Sequence, residues 1–312
     1  MNDTPPEIRP PAPAAAPGAP SAAGAGAARA FADLHLHTLF SDGTFTPEEL
    51  AGHGARCGLA AMALTDHDTV EGCPRMAAAC GKLGIEFLSG VELTAELDGS
   101  ELHILGYFLD QENPKLQTDL KKFQAVRQNR IHEIVARLNR QHIPLRAETV
   151  FALANCHSPG RPHVGRALVQ EGFCASLDAA FDRFLKKNRP AYVPKFKISA
   201  LEAIALVHQA GGLASMAHPG LNRSDDVIPA LAASGLDGLE CFHSKHTPAV
   251  TEYYLEIAAC HHLLVTGGSD CHGYSKGKPL IGGVKLPVVH YDRLQERHRA
   301  KAAQPTPHTA IL

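Results

Sequence analysis

The 312-residue chain has no tryptophan, and aromatic residues make up only 6% of it. A protein that grips single-stranded nucleic acid mainly by stacking bases on rings needs more than that. No stacking platform is therefore expected, and Tyr107, Phe108 and Tyr192 read as packing residues. The eight cysteines include no CxxC pair. A thiolate metal site is thereby excluded, and reduced thiols acting as small apolar groups are expected. No apolar run approaches the ~20 residues of a spanning helix. The start, Met1-Asn-Asp-Thr, has neither a basic n-region nor an apolar h-region, so the expectation is a cytoplasmic protein with no membrane partner. There is no P-loop, and the Gly-x-Ser-x-Gly match at Gly273–Gly277 does not directly close an apolar run as a nucleophile elbow does, so serine-hydrolase and NTPase chemistry have little support.

What is present suits a folded enzyme. Hydrophobic residues at 45% and charged residues at 20% allow a sizeable core in one large domain, or one domain with an insertion. The net charge of −2 says little, but its distribution says more. Between Lys115 and Lys197 there are 16 Lys/Arg against 6 Asp/Glu, and elsewhere 14 against 26. The acidic part carries carboxylates suited to metals, and the basic part is suited to phosphates or to a solvated helical face.

Residues 1–29 are nearly all Ala, Pro and Gly and cannot bury enough surface to order themselves. The stretch 291–312 is polar, carries Ala-Gln-Pro-Thr-Pro and reads as a frayed tail. Between them, apolar runs at 31–36, 60–65, 84–93, 101–108, 213–217, 236–242 and 263–268 predict strands. Thr46-Pro47-Glu48-Glu49 and Ser199 with Glu202 are capping boxes, and Thr247-Pro248 opens another helix. Alternating β and α units imply an α/β fold with parallel strands. Candidate ligands at the C-terminal ends of different strands favour a barrel, distorted or short of eight strands. Residues 111–198 interrupt it as an inserted basic helical subdomain, leaving 30–110 and 199–290 as the barrel. In that insertion Leu116, Leu120, Phe123, Ile131, Ile134, Val135 and Leu138 form a helical stripe, with Arg127, Arg130 and Arg137 expected on the surface.

The chemistry is concentrated at the ends of the apolar runs. His35 and His37 stand at i, i+2, a spacing that aims both imidazoles at one face of a strand. Asp42, Asp66/His67, Glu92, His103, His218 and Asp270/His272 recur in the same style. A lone histidine near a strand end is usually an ordinary hydrogen-bonded residue. Recurrence along one chain makes a bi- or trinuclear metal site the economical explanation. Imidazole mixed with carboxylate suits Mn, Zn or Fe better than Mg. Asp33 and Asp66 are expected to orient imidazoles, Asp68 to begin a helix, and Cys271 to turn away from the site. Gly267-Gly268 would allow a tight backbone beside it.

DLHLHTLFSDG, LTDHD, GVE, AHPG and SDCHG, in this order across 33–272, resemble the polymerase-and-histidinol-phosphatase (PHP) superfamily. GRPHVGRALV at 160–169 and the helical insertion resemble its bacterial branch of 3′,5′-nucleoside bisphosphate phosphatases, which includes the 5′-to-3′ exoribonuclease RNase AM. The resemblance implies a distorted (β/α)7 barrel with three divalent ions, manganese first and zinc or iron as alternatives. It also implies their ligands: His35, His37, Glu92 and Asp270 for the first ion, Glu92, His103 and His218 for the second, and Asp42, His67 and His272 for the third. No ligand of the pattern is missing, which argues against a non-catalytic phosphate- or RNA-binding relative.

A water bridging two ions would be deprotonated near neutral pH and attack phosphorus, with no side-chain nucleophile. Arg161, His163 and Lys195 are the phosphate-holding candidates, and His243, with Ser244 and His246, follows a strand into the same region. The substrates implied are 3′,5′-bisphosphate nucleotides and RNA 5′ ends, cleaved at the 3′-O–P bond to release 5′-mononucleotides. A phosphatase for another small monoester, such as histidinol phosphate, would not need the basic insertion. No obligate protein partner is expected.

Overall fold

The computed structural model describes residues 30–222 and 225–303; the segment 1–29 lies outside them. The chain begins with β1 (Phe31–Asp33), α1 (Pro47–Arg56), β2 (Leu59–Leu64), α2 (Cys73–Lys82), β3 (Glu86–Leu97) and β4 (Ser100–Tyr107). Helices α3 (Pro114–Arg140), α4 (Ala147–Ala154), α5 (Arg161–Gln170) and α6 (Leu177–Ala180) follow, then a π-helical turn at Phe181–Leu185. Next come β5 (Ile198–Ser199), α7 (Ala200–Gln209), β6 (Leu213–Met216), α8 (Pro219–Asn222) and α9 (Ile228–Ala233). The rest is β7 (Gly238–His243), α10 (Pro248–Cys260), β8 (Leu264–Gly268), β9 (Leu286–Pro287) and α11 (Val288–Ala302).

Strands run in the order β8-β7-β6-β4-β3-β2-β1-β9. Leu34 N–H donates to Gly267 O at 3.0 Å and Leu36 bridges Cys271, so β1 meets β8 and the sheet nearly closes into an α/β barrel. β4 is antiparallel to both β3 and β6, which departs from strict β/α alternation. The cause is local. Asp98 and Gly99 both have positive φ, 50° and 79°, the geometry of a two-residue hairpin turn that Asp-Gly favours. Because β4 runs backwards, its first half carries His103 opposite Thr94 on β3, close to Glu92.

Both expected capping boxes form at Thr46/Glu49 and Ser199/Glu202, and Thr247 caps α10. The barrel helices bury their apolar faces in one large core that includes Leu50, Met76, Ile204 and Leu231. Helices α3–α5 have a second core of their own, where Ile134, Leu138, Val164 and Leu168 are fully buried. Each such side chain contributes about 1.5–3 kcal/mol of burial. Two expectations need correction. Residues 291–303 are not a frayed tail, because α11 packs Tyr291 and Leu294 into the barrel at 4% and 1% exposure. Arg130 is not a surface residue: it is buried, and its Nε and Nη2 donate to Val193 O.

Candidate metal centre

The strand ends supply the site. His35 and His37 follow β1, His67 follows β2, His218 follows β6, and Asp270 and His272 follow β8. Asp68, His218 and Asp270 adopt positive φ of 51°, 30° and 52°, a conformation that costs a non-glycine residue about 1–3 kcal/mol and gathers at functional sites. Gly268 is a steric requirement, as expected: a Cβ there would lie 2.3 Å from His35 N.

Three groups of side chains have donor atoms within 4.8 Å of one another. They are His35, His37 and Asp270; Glu92, His103 and His218; and His37, Asp42, His67 and His272. Glu92 sits between them. Its Oε2 lies 3.4 Å from His35 Nε2, 3.3 Å from His37 Nε2 and 3.0 Å from His67 Nδ1. Its Oε1 lies 2.5 Å from His103 Nδ1 and 3.2 Å from His218 Nε2. Burial works against its charge, but the His67, His103 and His35 imidazoles hold it well below the usual carboxylate range. Asp270 is likewise opposed by burial and held low by His272 and its neighbours.

The donor set fits divalent cations. His35 Nε2, His37 Nε2, His67 Nδ1, Asp42 Oδ1 and Glu92 Oε2 are all buried without a hydrogen-bond partner. Buried polar atoms are otherwise almost always paired. Imidazole and carboxylate together suit transition-metal dications. Cys271 stays out of these groups: it is buried, and its Sγ accepts from Gly273 N–H.

One residue behind the site escaped the sequence reading. Glu240, fully buried on β7, has Oε1 and Oε2 at 3.0 and 3.2 Å from His35 Nδ1, and Oε2 accepts from His218 N–H at 2.6 Å. Burial opposes its charge, but His35, His243 and His218 keep it anionic. A carboxylate only accepts, so His35 Nδ1 carries a proton toward Glu240, and Nε2 is the ring atom left to face the centre. The predicted orienting carboxylates do something else. Asp66 binds Thr38 N–H and the Thr38 and Ser41 hydroxyls, while Asp33 accepts from Ser269 N–H. Asp68 does not begin a helix but pairs with Arg127.

A cavity of about 260 Å3 opens over the donor groups, and Arg127, Arg130, Arg161 and Lys195 also line it. Arg161 donates to Leu185 O and lies over the Phe181 and Tyr192 rings. Lys195 Nζ lies 3.1 Å from both His103 Nε2 and Glu101 Oε1. Burial, with Arg127 and Arg161 nearby, lowers its pKa. His163 does not line this cavity. Its Nδ1 accepts from Gly160 N–H at the start of α5, and burial pulls its pKa down to about 4. His243 is buried at the end of β7, with Nε2 3.7 Å from Asp270 Oδ2. His246 Nδ1 is tied to Cys241 O. His163, His243 and His246 therefore stand behind the wall of the cavity.

A family model described as the PHP domain matches residues 33–189. The chain is similar to the 5′-3′ exoribonuclease Rnm of Salmonella typhimurium, with 32% identity covering 77% of this chain and 84% of the relative. It is similar also to the 3′,5′-nucleoside bisphosphate phosphatase of Chromobacterium violaceum, with 32% identity over 82% and 93%. A solved structure described as a metal-dependent phosphoesterase, from Bifidobacterium adolescentis, superposes with a TM-score of 0.79 at 36% identity, over 85% of this chain and 96% of that one. No helix among the described residues is long and apolar enough to cross a membrane.

Proposed function

The chain belongs to the PHP domain family, and on that premise we propose that this metal-dependent phosphoesterase hydrolyses the 3′-O–P bond of 5′-phosphorylated nucleotides. The observation that carries the reading is the cavity itself, lined both by imidazole and carboxylate donors and by four cationic side chains. Its ligand assignment is His35, His37, Glu92 and Asp270 for one ion, Glu92, His103 and His218 for a second, and Asp42, His67 and His272 for a third. Divalent ions there would supply Lewis acidity to the phosphate oxygens and an acidified water as nucleophile.

The chain's own groups do the rest. Glu92 spans two donor groups with its two oxygens, and Glu240 presents the free nitrogen of His35. Arg161 and Lys195 hold the 5′-phosphate, Arg161 by its planar fork and Lys195 as a point charge. Arg130, whose Nε and Nη2 already serve Val193 O, adds charge. A 5′-phosphate held there presents the 3′-phosphorus to the donor groups. A terminal 3′-phosphate gives a 5′-nucleotide and orthophosphate; an RNA continuing from that position gives a 5′-nucleotide and a chain one residue shorter. The names borne by the exoribonuclease and bisphosphate phosphatase relatives support both outcomes.

The test compares orthophosphate release from adenosine 3′,5′-bisphosphate and from adenosine 3′-monophosphate, with manganese-loaded protein. Strong preference for the bisphosphate is expected. Equal use of both would refute a 5′-phosphate subsite.

A further inference from the structure

The three donor groups are not held alike. His35 is fixed from inside the barrel by Glu240, and Asp270 N–H donates to His35 O. Glu92 and His103 sit on paired strands. Asp42, His67 and His272 lie on three loops beyond the strand ends, and the barrel braces them only in part. Asp66 ties down Ser41, and His67 bridges Glu92.

The loops also hold one another, with Thr44 Oγ1 donating to His272 O, Gly43 N–H to Thr38 O and Asp68 N–H to Glu92 O, and further bracing comes from α3, α5 and the loop before α5. Ser158 Oγ donates to His67 O at 2.6 Å. Arg127 Nε pairs with Asp68 Oδ2 at 2.5 Å, and Gln124 Nε2 donates to Asp68 O at 3.1 Å. Cys156 Sγ approaches Ser41 O at 3.3 Å. Arg166 Nη2 donates to Asp42 O and lies 3.4 Å from Ser275 Oγ, which in turn donates to His272 O at 2.9 Å. The carbonyls of Asp42, His67 and His272 are thus all secured, two directly by the helical segment and one through Ser275. A metal site tolerates little drift in its ligand-bearing backbone, and partners behind the ligands govern affinity.

We propose that the helical segment is the scaffold of the third cation position, with Arg166 as its chief positioning residue, so that Asp42, His67 and His272 bind an ion tightly only while that segment is docked. Arg127 and Arg130 sit on α3, while Arg161 sits on α5 with Arg166. The helices that face a substrate phosphate therefore also set the third ion. Substrate engagement and third-ion affinity are coupled through them, and by linkage the coupling is reciprocal. The proposal rests on the three-ion reading above.

The test counts bound manganese per chain by plasma mass spectrometry after equilibrium dialysis across a range of free metal, without substrate. Wild type is compared with Arg166→Ala, Ser158→Ala and, as a control, His157→Ala, which breaks only the exposed pair with Glu71. Three ions are expected in wild type and in the control. Arg166→Ala should keep two at wild-type affinity and bind the third 10- to 100-fold more weakly, and Ser158→Ala should show a smaller loss of the same ion. Unchanged third-ion affinity in both variants overturns the proposal. So does uniform weakening of all ions with a lowered urea midpoint, which marks general destabilisation. Should Arg166→Ala fail to fold, Ser158→Ala and Ser275→Ala decide by the same criterion. A wild type that binds fewer than three ions removes the three-ion reading itself, a failure visible before any variant is made.

Discussion

Replacing Glu240 should weaken the metal centre without touching a ligand. Its two oxygens serve the His35 Nδ1 proton and the His218 backbone N–H, inside a fully buried setting. Loss of a partner behind a metal-bound histidine typically costs 10- to 100-fold in affinity, or about 1.4–2.8 kcal/mol. Glu240→Gln keeps the shape and one acceptor oxygen, and should fall in that range. Glu240→Ala also strands two buried donors, each worth roughly 1–3 kcal/mol, so its metal-free form should unfold at markedly lower urea. Affinity is read by competition with a fluorescent manganese chelator. Nitrogen-15 NMR of the histidines in the metal-free protein reports whether the protected His35 Nδ1 proton is lost. A folded Glu240→Ala protein with wild-type affinity and an unchanged His35 signal would refute the role.

Asp270→Ala or His67→Ala should reduce phosphate release to background while circular dichroism shows the fold retained; full activity after stripping and reloading metal would remove that residue from the ligand set. Arg161→Ala should raise KM for adenosine 3′,5′-bisphosphate about 10- to 100-fold, the worth of a charged hydrogen bond, with bound metal unchanged; loss of metal instead would mean that Arg161 supports the centre and not the substrate. His163 gives a pH signature. Its pKa falls from 6.5 to about 4 on folding, so the unfolded chain binds the proton first. Stability is complete above about pH 6.5 and lost as pH falls toward 4, by up to roughly 3 kcal/mol. His163→Asn should flatten that slope in urea titrations with metal chelated, and an unaltered slope would contradict the neutral capping role.

Most of the candidate donors were legible because they follow a short apolar strand and repeat one pattern along the chain, whereas Glu92 and His103 lie within strands. His35 and His37 show their purpose by spacing alone. Glu240 was not legible, since its partner His35 lies 205 residues away and GLECFH looks like any buried strand. Proximity to histidines suggests that Asp33 and Asp66 orient imidazoles, and position suggests that Asp68 begins a helix, whereas their oxygens answer backbone, hydroxyl and Arg127 donors brought in by the fold. His163 stands in a basic-looking motif, but a histidine three residues after Gly160 is also placed to receive its N–H. Two misses had a usable signal. Asp98-Gly99 marks the hairpin that reverses β4, and Tyr291 with Leu294 has the i, i+3 spacing of a helix face.

The most direct test of the central claim is product analysis with manganese-loaded protein and a 5′-phosphorylated short RNA, resolved nucleotide by nucleotide. A ladder shortening from the 5′ end with 5′-mononucleotides released is the expected result, and it should vanish when the RNA starts with a 5′-hydroxyl. Shortening from the 3′ end, or equal cleavage of 5′-hydroxyl RNA, would contradict a 5′-phosphate held by Arg161 and Lys195 beside the donor groups.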